Sequence, residues 1–188
     1  MNSGYFIFIV SSVWFLSEFF LARTKRSLPS DKQEDKSSLR TIWTTIILSV
    51  NAGVFMGIQR LGHIELQNAL MPFVGYIFII CGLIIRWTAV LTLKRQFTVD
   101  VSIRSGHKII SHGIYRIIRH PSYLGTILSF LGLGIYFSNY ISIIVIALPI
   151  TIVFLYRISI EEQALIQSFG DEYRDYCKTT RRLIPRIY

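Results

Sequence analysis

The chain has 188 residues, 52% of them hydrophobic and only 16% charged, which argues against an ordinary soluble globular domain and for an integral membrane protein. At about 100 to 200 residues per domain, the length makes one domain of residues 1–188, leaving no room for a separate soluble catalytic module. Any active site has to be built onto the membrane helices. The net charge of +9 suits cytoplasmic loops beside anionic lipid.

Gly4 to Ala22 is the first run of about the 20 apolar residues that a membrane helix needs, although it contains Glu18. Arg23, Lys25 and Arg26 follow this run and no positive charge precedes it, the reverse of a cleavable signal, so it is expected to remain as a span. Thr24 to Arg40 mixes Lys, Asp, Glu, Ser and Pro without apolar periodicity and reads as a solvated loop. Thr41 to Ile58 is the second span, with Gly53-Val-Phe-Met-Gly57 as a possible close helix contact. Leu70 to Leu93 is the third, and its Arg86 is expected to snorkel toward the near surface.

A polar stretch follows Lys94. Tyr123 to Phe137 and Tyr140 to Tyr156 are then two shorter apolar runs, and the joint at Ser138 and Asn139 is so brief that they predict an antiparallel helical hairpin. Glu161 to Tyr176 alternates charged residues with Ala164, Leu165, Phe169 and Tyr173, as an amphipathic helix at the membrane surface does. The expectation is an all-α bundle of five transmembrane helices ending in a cytoplasmic amphipathic helix. Residues 1–93 hold three spans and residues 94–188 hold the chemistry. Lys and Arg crowd the first loop, the third loop and the tail, while the second loop has only Arg60 and the hairpin joint none. That distribution puts the N-terminus outside and the C-terminus in the cytoplasm. Basic residues spread in this way, with no interleaved nucleic-acid motif, speak against a nucleic-acid partner.

Cys81 and Cys177 are too few for a disulfide framework and lack zinc spacing. Cys81, in an apolar run, reads as a small buried side chain, and Cys177 as a free thiol in a polar tail. His107, His112 and His120 share a segment without a companion ligand pattern, so no metal is expected.

Chemistry is expected in Phe97 to Tyr123 and Arg157 to Arg182. In Tyr115-Arg-Ile-Ile-Arg119-His120-Pro121-Ser122-Tyr123-Leu-Gly125, proline disfavours helix at His120 and suits the first helical turn, so the fourth span starts at Pro121. The free N–H groups of that turn can meet a carboxylate, with Arg119, His120 and Tyr123 around it. Gly125 allows a ligand or another helix to come close. Arg157 and Glu161 stand four apart on one helix face, as a local ion pair or as a site in which Arg157 binds a carboxylate in bidentate fashion. Nucleotide loops, HExxH and GxSxG motifs do not occur.

From Arg86 to Pro185 the chain resembles the isoprenylcysteine carboxyl methyltransferase family. The ordered pieces are Gly106-His107-Lys108-Ile109-Ile110, Gly113-Ile-Tyr115, Arg119-His120-Pro121-Ser122-Tyr123-Leu-Gly125, Arg157, Glu161-Glu162, Phe169-Gly170-Asp-Glu-Tyr173, Tyr176 and Arg182-Leu-Ile-Pro185. The resemblance implies S-adenosylmethionine as cofactor, held by His107, Lys108, Ile109, Ile110, Tyr115, His120, Pro121, Ser122, Tyr123 and Glu161. It implies a substrate contact and catalytic role for Arg157, with Glu161 as its catalytic neighbour. Asp100 stands where relatives of the eukaryotic type can carry a cofactor-contacting glutamine; a carboxylate lacks the amide's donors but still accepts hydrogen bonds, so Asp100 is kept as a further cofactor contact. The implied reaction is methyl transfer to a lipophilic acceptor reached from the bilayer, most simply to the carboxylate of an isoprenylcysteine. Phospholipid or other small-lipid methylation, a sterol-type reductase and a non-enzymatic lipid-binding scaffold are the alternatives. Terse loops and small size suggest a prokaryotic inner membrane.

Overall fold

Long apolar runs become helices because, in hydrocarbon, every backbone N–H and C=O has to be satisfied within its own segment. The computed structural model of the protein describes residues 3–25, 32–35, 37–59, 62–65, 70–103 and 108–184. In it these runs form α1 (Ser3–Thr24), α2 (Ser37–Gln59), α3 (Leu70–Leu93), α4 (Pro121–Tyr136) and α5 (Tyr140–Phe169), followed by α6 (Asp171–Thr179). Helices α1, α2, α3 and α5 are each long and apolar enough to cross a membrane. With 16 residues, α4 extends about 24 Å, short of the ~30 Å hydrocarbon core.

Two boundaries differ from the sequence reading. Thr24 to Arg40, expected as loop, contains strand β1 (Lys32–Asp35), which pairs antiparallel with β2 (Val101–Ile103), and α2 already begins at Ser37. An all-α assignment misses this ribbon because each strand is very short and its partner lies in a distant segment. The amphipathic helix expected from Glu161 to Tyr176 is two helices. α5 continues without a break to Phe169, Gly170 takes φ 55°, and α6 starts at Asp171. A Cβ on Gly170 would meet nothing within 4 Å, so its positive φ and not lack of space asks for glycine.

Small residues set the tightest packing. A Cβ on Gly82 of α3 would lie 2.5 Å from the Gly125 carbonyl oxygen of α4, and one on Gly132 would lie 2.6 Å from the Gly75 oxygen. Gly125 therefore serves the approach of another helix. Gly53 and Gly57 of α2 face Ile146 and Phe137 within the same chain, and the Ser142 hydroxyl donates to the Gly53 carbonyl at 2.8 Å. At the α4–α5 turn, the Asn139 side chain caps α5 by accepting from the Ser142 N–H at 3.0 Å. His63 bridges to Asn139 there, at the opposite end of α4 from His120. The core gathers Phe130, Leu133, Ile146, Ile150 and Phe154, with Trp14 and Ile42 added from α1 and α2. Cys81, expected to be buried, is exposed. It lies on a face of α3 where Ile77, Ile80 and Ile84 are exposed as well.

Candidate active site

The site grows from the junction that precedes α4. Pro121 takes the first helical position, and the chain's tail runs beside the residues just before it, bridged at Ile118 and Arg181. Arg119 N–H donates to the Arg181 carbonyl at 2.7 Å, His120 N–H to Arg182 at 3.0 Å, and Arg181 N–H to Ile117 at 3.1 Å. Beneath this seam the buried Glu162 carboxylate accepts from Arg119 Nε at 2.9 Å and from Arg182 Nε at 2.8 Å. His120 Nε2 lies 3.3 Å from the same carboxylate, and its Nδ1 lies 3.8 Å from Glu161 Oε2. Tyr123 donates its hydroxyl to Glu161 Oε2 at 2.7 Å and stacks on His120 with ring centroids 5.7 Å apart.

Arg157 is 1% exposed. It donates to the Ser38 hydroxyl of α2 and, at 2.6 Å, to the Val99 carbonyl. The local pair with Glu161 that sequence spacing suggests is thus replaced by contacts to other elements, while Glu161 is taken up by Tyr123. Tertiary partners win here because a fully buried guanidinium has to find acceptors for several donors at once.

Arg119, His120, Tyr123, Arg157 and Glu161 line one cavity of ≈ 450 Å³. Asp100, Lys108, Ile109, Ile110, Tyr115, His120, Ser122, Tyr123, Arg157 and Glu161 all border it. Pro121 is buried at the first turn of α4, and His107 lies outside the described residues. Lys108 meets Gln96 through its backbone, its N–H donating to Oε1 at 2.8 Å. Tyr115 is fixed by its carbonyl, which accepts the Tyr176 hydroxyl at 2.7 Å. Burial pushes the Tyr115, Tyr173 and Tyr176 hydroxyls above their ordinary 10.0, so all three stay protonated. Burial likewise raises the Cys177 thiol, which disfavours the thiolate that a reactive cysteine needs. Among the described residues, no group of three or more His, Cys, Asp or Glu is placed to hold a metal.

The far end of the cavity is apolar and comes mainly from the two helices that carried no signature in the sequence, through Trp14 and Phe15 of α1 and Ile42, Trp43 and Ile46 of α2, with Phe130 added from α4. Sequence reasoning also missed how Arg86 is used. It was expected to snorkel, yet it is 8% exposed and pairs with Glu18, both being cavity residues. Two opposite charges in two apolar runs were the available signal, since each alone costs about 2.5–3.5 kcal/mol at the centre of a membrane helix. The Glu162 cluster was missed because Arg119, Glu162 and Arg182 come from three separated segments.

A family model for the isoprenylcysteine carboxyl methyltransferase (ICMT) family matches residues 75–167, which span the whole polar wall from Arg86 to Glu162. A probable protein-S-isoprenylcysteine O-methyltransferase of Oryza sativa subsp. indica is 32% identical over 155 residues, covering 77% of this chain and 81% of the rice protein. The chain belongs to the isoprenylcysteine carboxyl methyltransferase family. Protein-S-isoprenylcysteine O-methyltransferase A of Arabidopsis thaliana is 35% identical over 115 residues, 60% of this chain and 58% of that protein. A solved structure of the eukaryotic intramembrane Ras methyltransferase of this family superposes with a TM-score of 0.59 at 28% identity, over 80% of this chain and 51% of that one. The chain thus spans about half the length of that family structure. These relatives are eukaryotic and lend no support to the expected prokaryotic inner membrane. The family resemblance read from the C-terminal half extends, in the rice protein, to most of the chain.

Proposed function

We propose that this protein transfers a methyl group from S-adenosylmethionine to the carboxylate of a lipophilic, isoprenylcysteine-like acceptor delivered from the bilayer. The observation that carries the reading is a single cavity with two chemically different ends. One end is lined by the family segments around His120 and Glu161, and the other by apolar side chains of α1, α2 and α4. Five spans are proposed, with α4 as a short fourth span paired with α5 as a hairpin. The loops rich in Lys and Arg are placed in the cytoplasm with the C-terminus, and the N-terminus outside.

The residues suit the cofactor. His120 at the helix N-cap makes no side-chain cap hydrogen bond, which leaves the first-turn N–H groups of α4 to receive a carboxylate. Glu161 and Asp100 present carboxylates to a cationic amino group, and the faces of Tyr115 and Tyr123 suit an aromatic base or a sulfonium. Ser122, Lys108, Ile109 and Ile110 complete this wall, with His107 assigned by family resemblance. When bound, the sulfonium supplies an electrophilic methyl group.

The protein's own work is alignment. Arg157, held by Ser38 and Val99, keeps a guanidinium at the border between the polar and apolar ends, where it orients the acceptor carboxylate. That carboxylate is already ionised near neutral pH, so no general base is required. Tyr123 and Glu162 hold Glu161 and His120 in place, and the apolar wall excludes water from the reacting oxygen.

Calorimetry with S-adenosylmethionine and radiolabelled methyl transfer to a short isoprenylated cysteine, beside its C-terminal amide, test the reading. Binding together with methylation of the free acid alone is expected. Arg157→Ala should keep cofactor affinity and lower acceptor kcat/KM about 100-fold, the scale of a misplaced reactant. Folded wild-type protein that does not bind S-adenosylmethionine would refute the proposal.

A further inference from the structure

Helix α1 is 11% buried over Ile7–Thr24, against 39% for α5, yet it supplies part of the cavity wall. It reaches the bundle along one helical face. Trp14 lies against Phe130 with ring centroids 4.6 Å apart, and Leu21 packs with Val90 and Phe97. Between them stands Glu18. Its two carboxylate oxygens receive Arg86 Nε and Nη2, a fork-to-fork pair. The third nitrogen of the same guanidinium, Nη1, donates to the Ser122 hydroxyl at 2.8 Å and reaches the Ser122 carbonyl at 3.4 Å. Trp14, Glu18, Arg86 and Ser122 all border the cavity.

Apolar side chains are almost as comfortable against lipid as against another helix, so Trp14 and Leu21 give α1 little reason to hold one position. A paired charge at membrane depth is different. The side chains of Glu18 and Arg86 are 19% and 10% exposed, and separating them would leave two charges in an apolar setting. We infer that Glu18 and Arg86 are positioning residues for the methyl acceptor: their pair holds α1 as one wall of the apolar end and ties that wall, through Ser122, to the first turn of α4. Glu18 lies outside the residues matched by the family model. The inference rests on the methyltransferase reading for the identity of the acceptor, whereas its geometric content, that this pair sets the place of α1, stands independently.

Neutralising Glu18 removes the hold on α1 and leaves α4 and α5, which carry the cofactor wall, as they are. Glu18→Gln is therefore expected to raise acceptor KM about tenfold, as for one lost charge-assisted contact, with cofactor affinity within about twofold. Arg86→Gln also releases Ser122 and is expected to weaken both. The reversed pair, Glu18→Arg with Arg86→Glu, restores the attraction and is expected to recover acceptor KM in part.

The decisive readout is a distance. Spin labels at Leu16→Cys and Ile84→Cys, on exposed faces of α1 and α3, in a background of Cys81→Ser and Cys177→Ser, report the α1–α3 separation by double electron–electron resonance. A narrow distribution is expected with the native pair, a broad one with Glu18→Gln, and a narrow one again with the reversed pair. An unchanged distribution and unchanged acceptor KM in Glu18→Gln would overturn the inference, as would a reversed pair that stays broad. Should Glu18→Gln fail to fold, the reversed pair decides alone: a narrow distribution with acceptor KM near that of the wild type upholds the inference, and a broad one overturns it. Absence of methyl transfer by the wild-type protein would instead remove the methyltransferase reading and leave the distance result to decide the role of the pair.

Discussion

Helices α3 and α4 meet backbone to backbone, whereas α1 rests on its neighbours through side chains. At Gly82 and Gly125 the carbonyl oxygens lie where a Cβ would have to be, and such a contact tolerates no variation in side-chain volume. At α1 the bulk of the surface faces outward, with Phe8 at 73% and Phe15 at 64% exposed, and the helix is located by a few specific contacts. The close-packed region carries the first turn of α4, whose Ser122 and Tyr123 border the cavity. The lightly held region depends on a few side-chain contacts, Trp14 with Phe130 and Glu18 with Arg86.

Gly125→Leu is expected to be the most disruptive substitution. The new side chain would collide with backbone at Gly82 and Arg86, and a cost of about 3 kcal/mol or more is expected, enough to abolish a monodisperse folded peak in detergent. Val13→Leu, on the exposed face of α1, should leave the Tm unchanged. If the two behave alike, packing does not distinguish the regions. Glu162→Gln is next. Arg119 and His120 are buried beside this carboxylate while Arg182 is 38% exposed, so the loss should fall near 3 kcal/mol, the low end for breaking a buried pair. It is read as a fall in Tm with weaker cofactor binding.

Asn139→Ala removes the α5 cap and the contact of Nδ2 with the Met56 carbonyl at 3.3 Å. About 1 kcal/mol is expected, measured as a lower midpoint of unfolding with cofactor affinity unaltered, because the cap sits at the far end from the site. Lys178→Ala breaks only the pair with Asp175, whose partners are 74% and 70% exposed. A change below about 0.5 kcal/mol is expected, and less at high salt. A large effect there would give α6 a structural weight that its surface pair does not imply.

Much of the site was legible because the chemistry sits in short, local signals. The His120-Pro121 step marks a helix start through the geometry of proline alone, and α4 begins at Pro121. The spacing of Arg157 and Glu161 correctly put both on one helix, but their partners could not be read from it. Arg157 finds Ser38 and Val99, and Arg86 finds Glu18, across long stretches of sequence. The break at Gly170 was also hidden, since glycine states that a positive φ is allowed and not that it is used.

By itself the sequence determined the apolar spans, the start of α4 and the residue types available for chemistry, because hydrocarbon demands internally bonded helices and proline restricts its neighbours locally. Tertiary structure alone decided which charges neutralise each other and which helices close the cavity. Pairing a buried ion and bringing glycine backbones into contact depend on distances between elements far apart along the chain, and such distances exist only once the helices have packed.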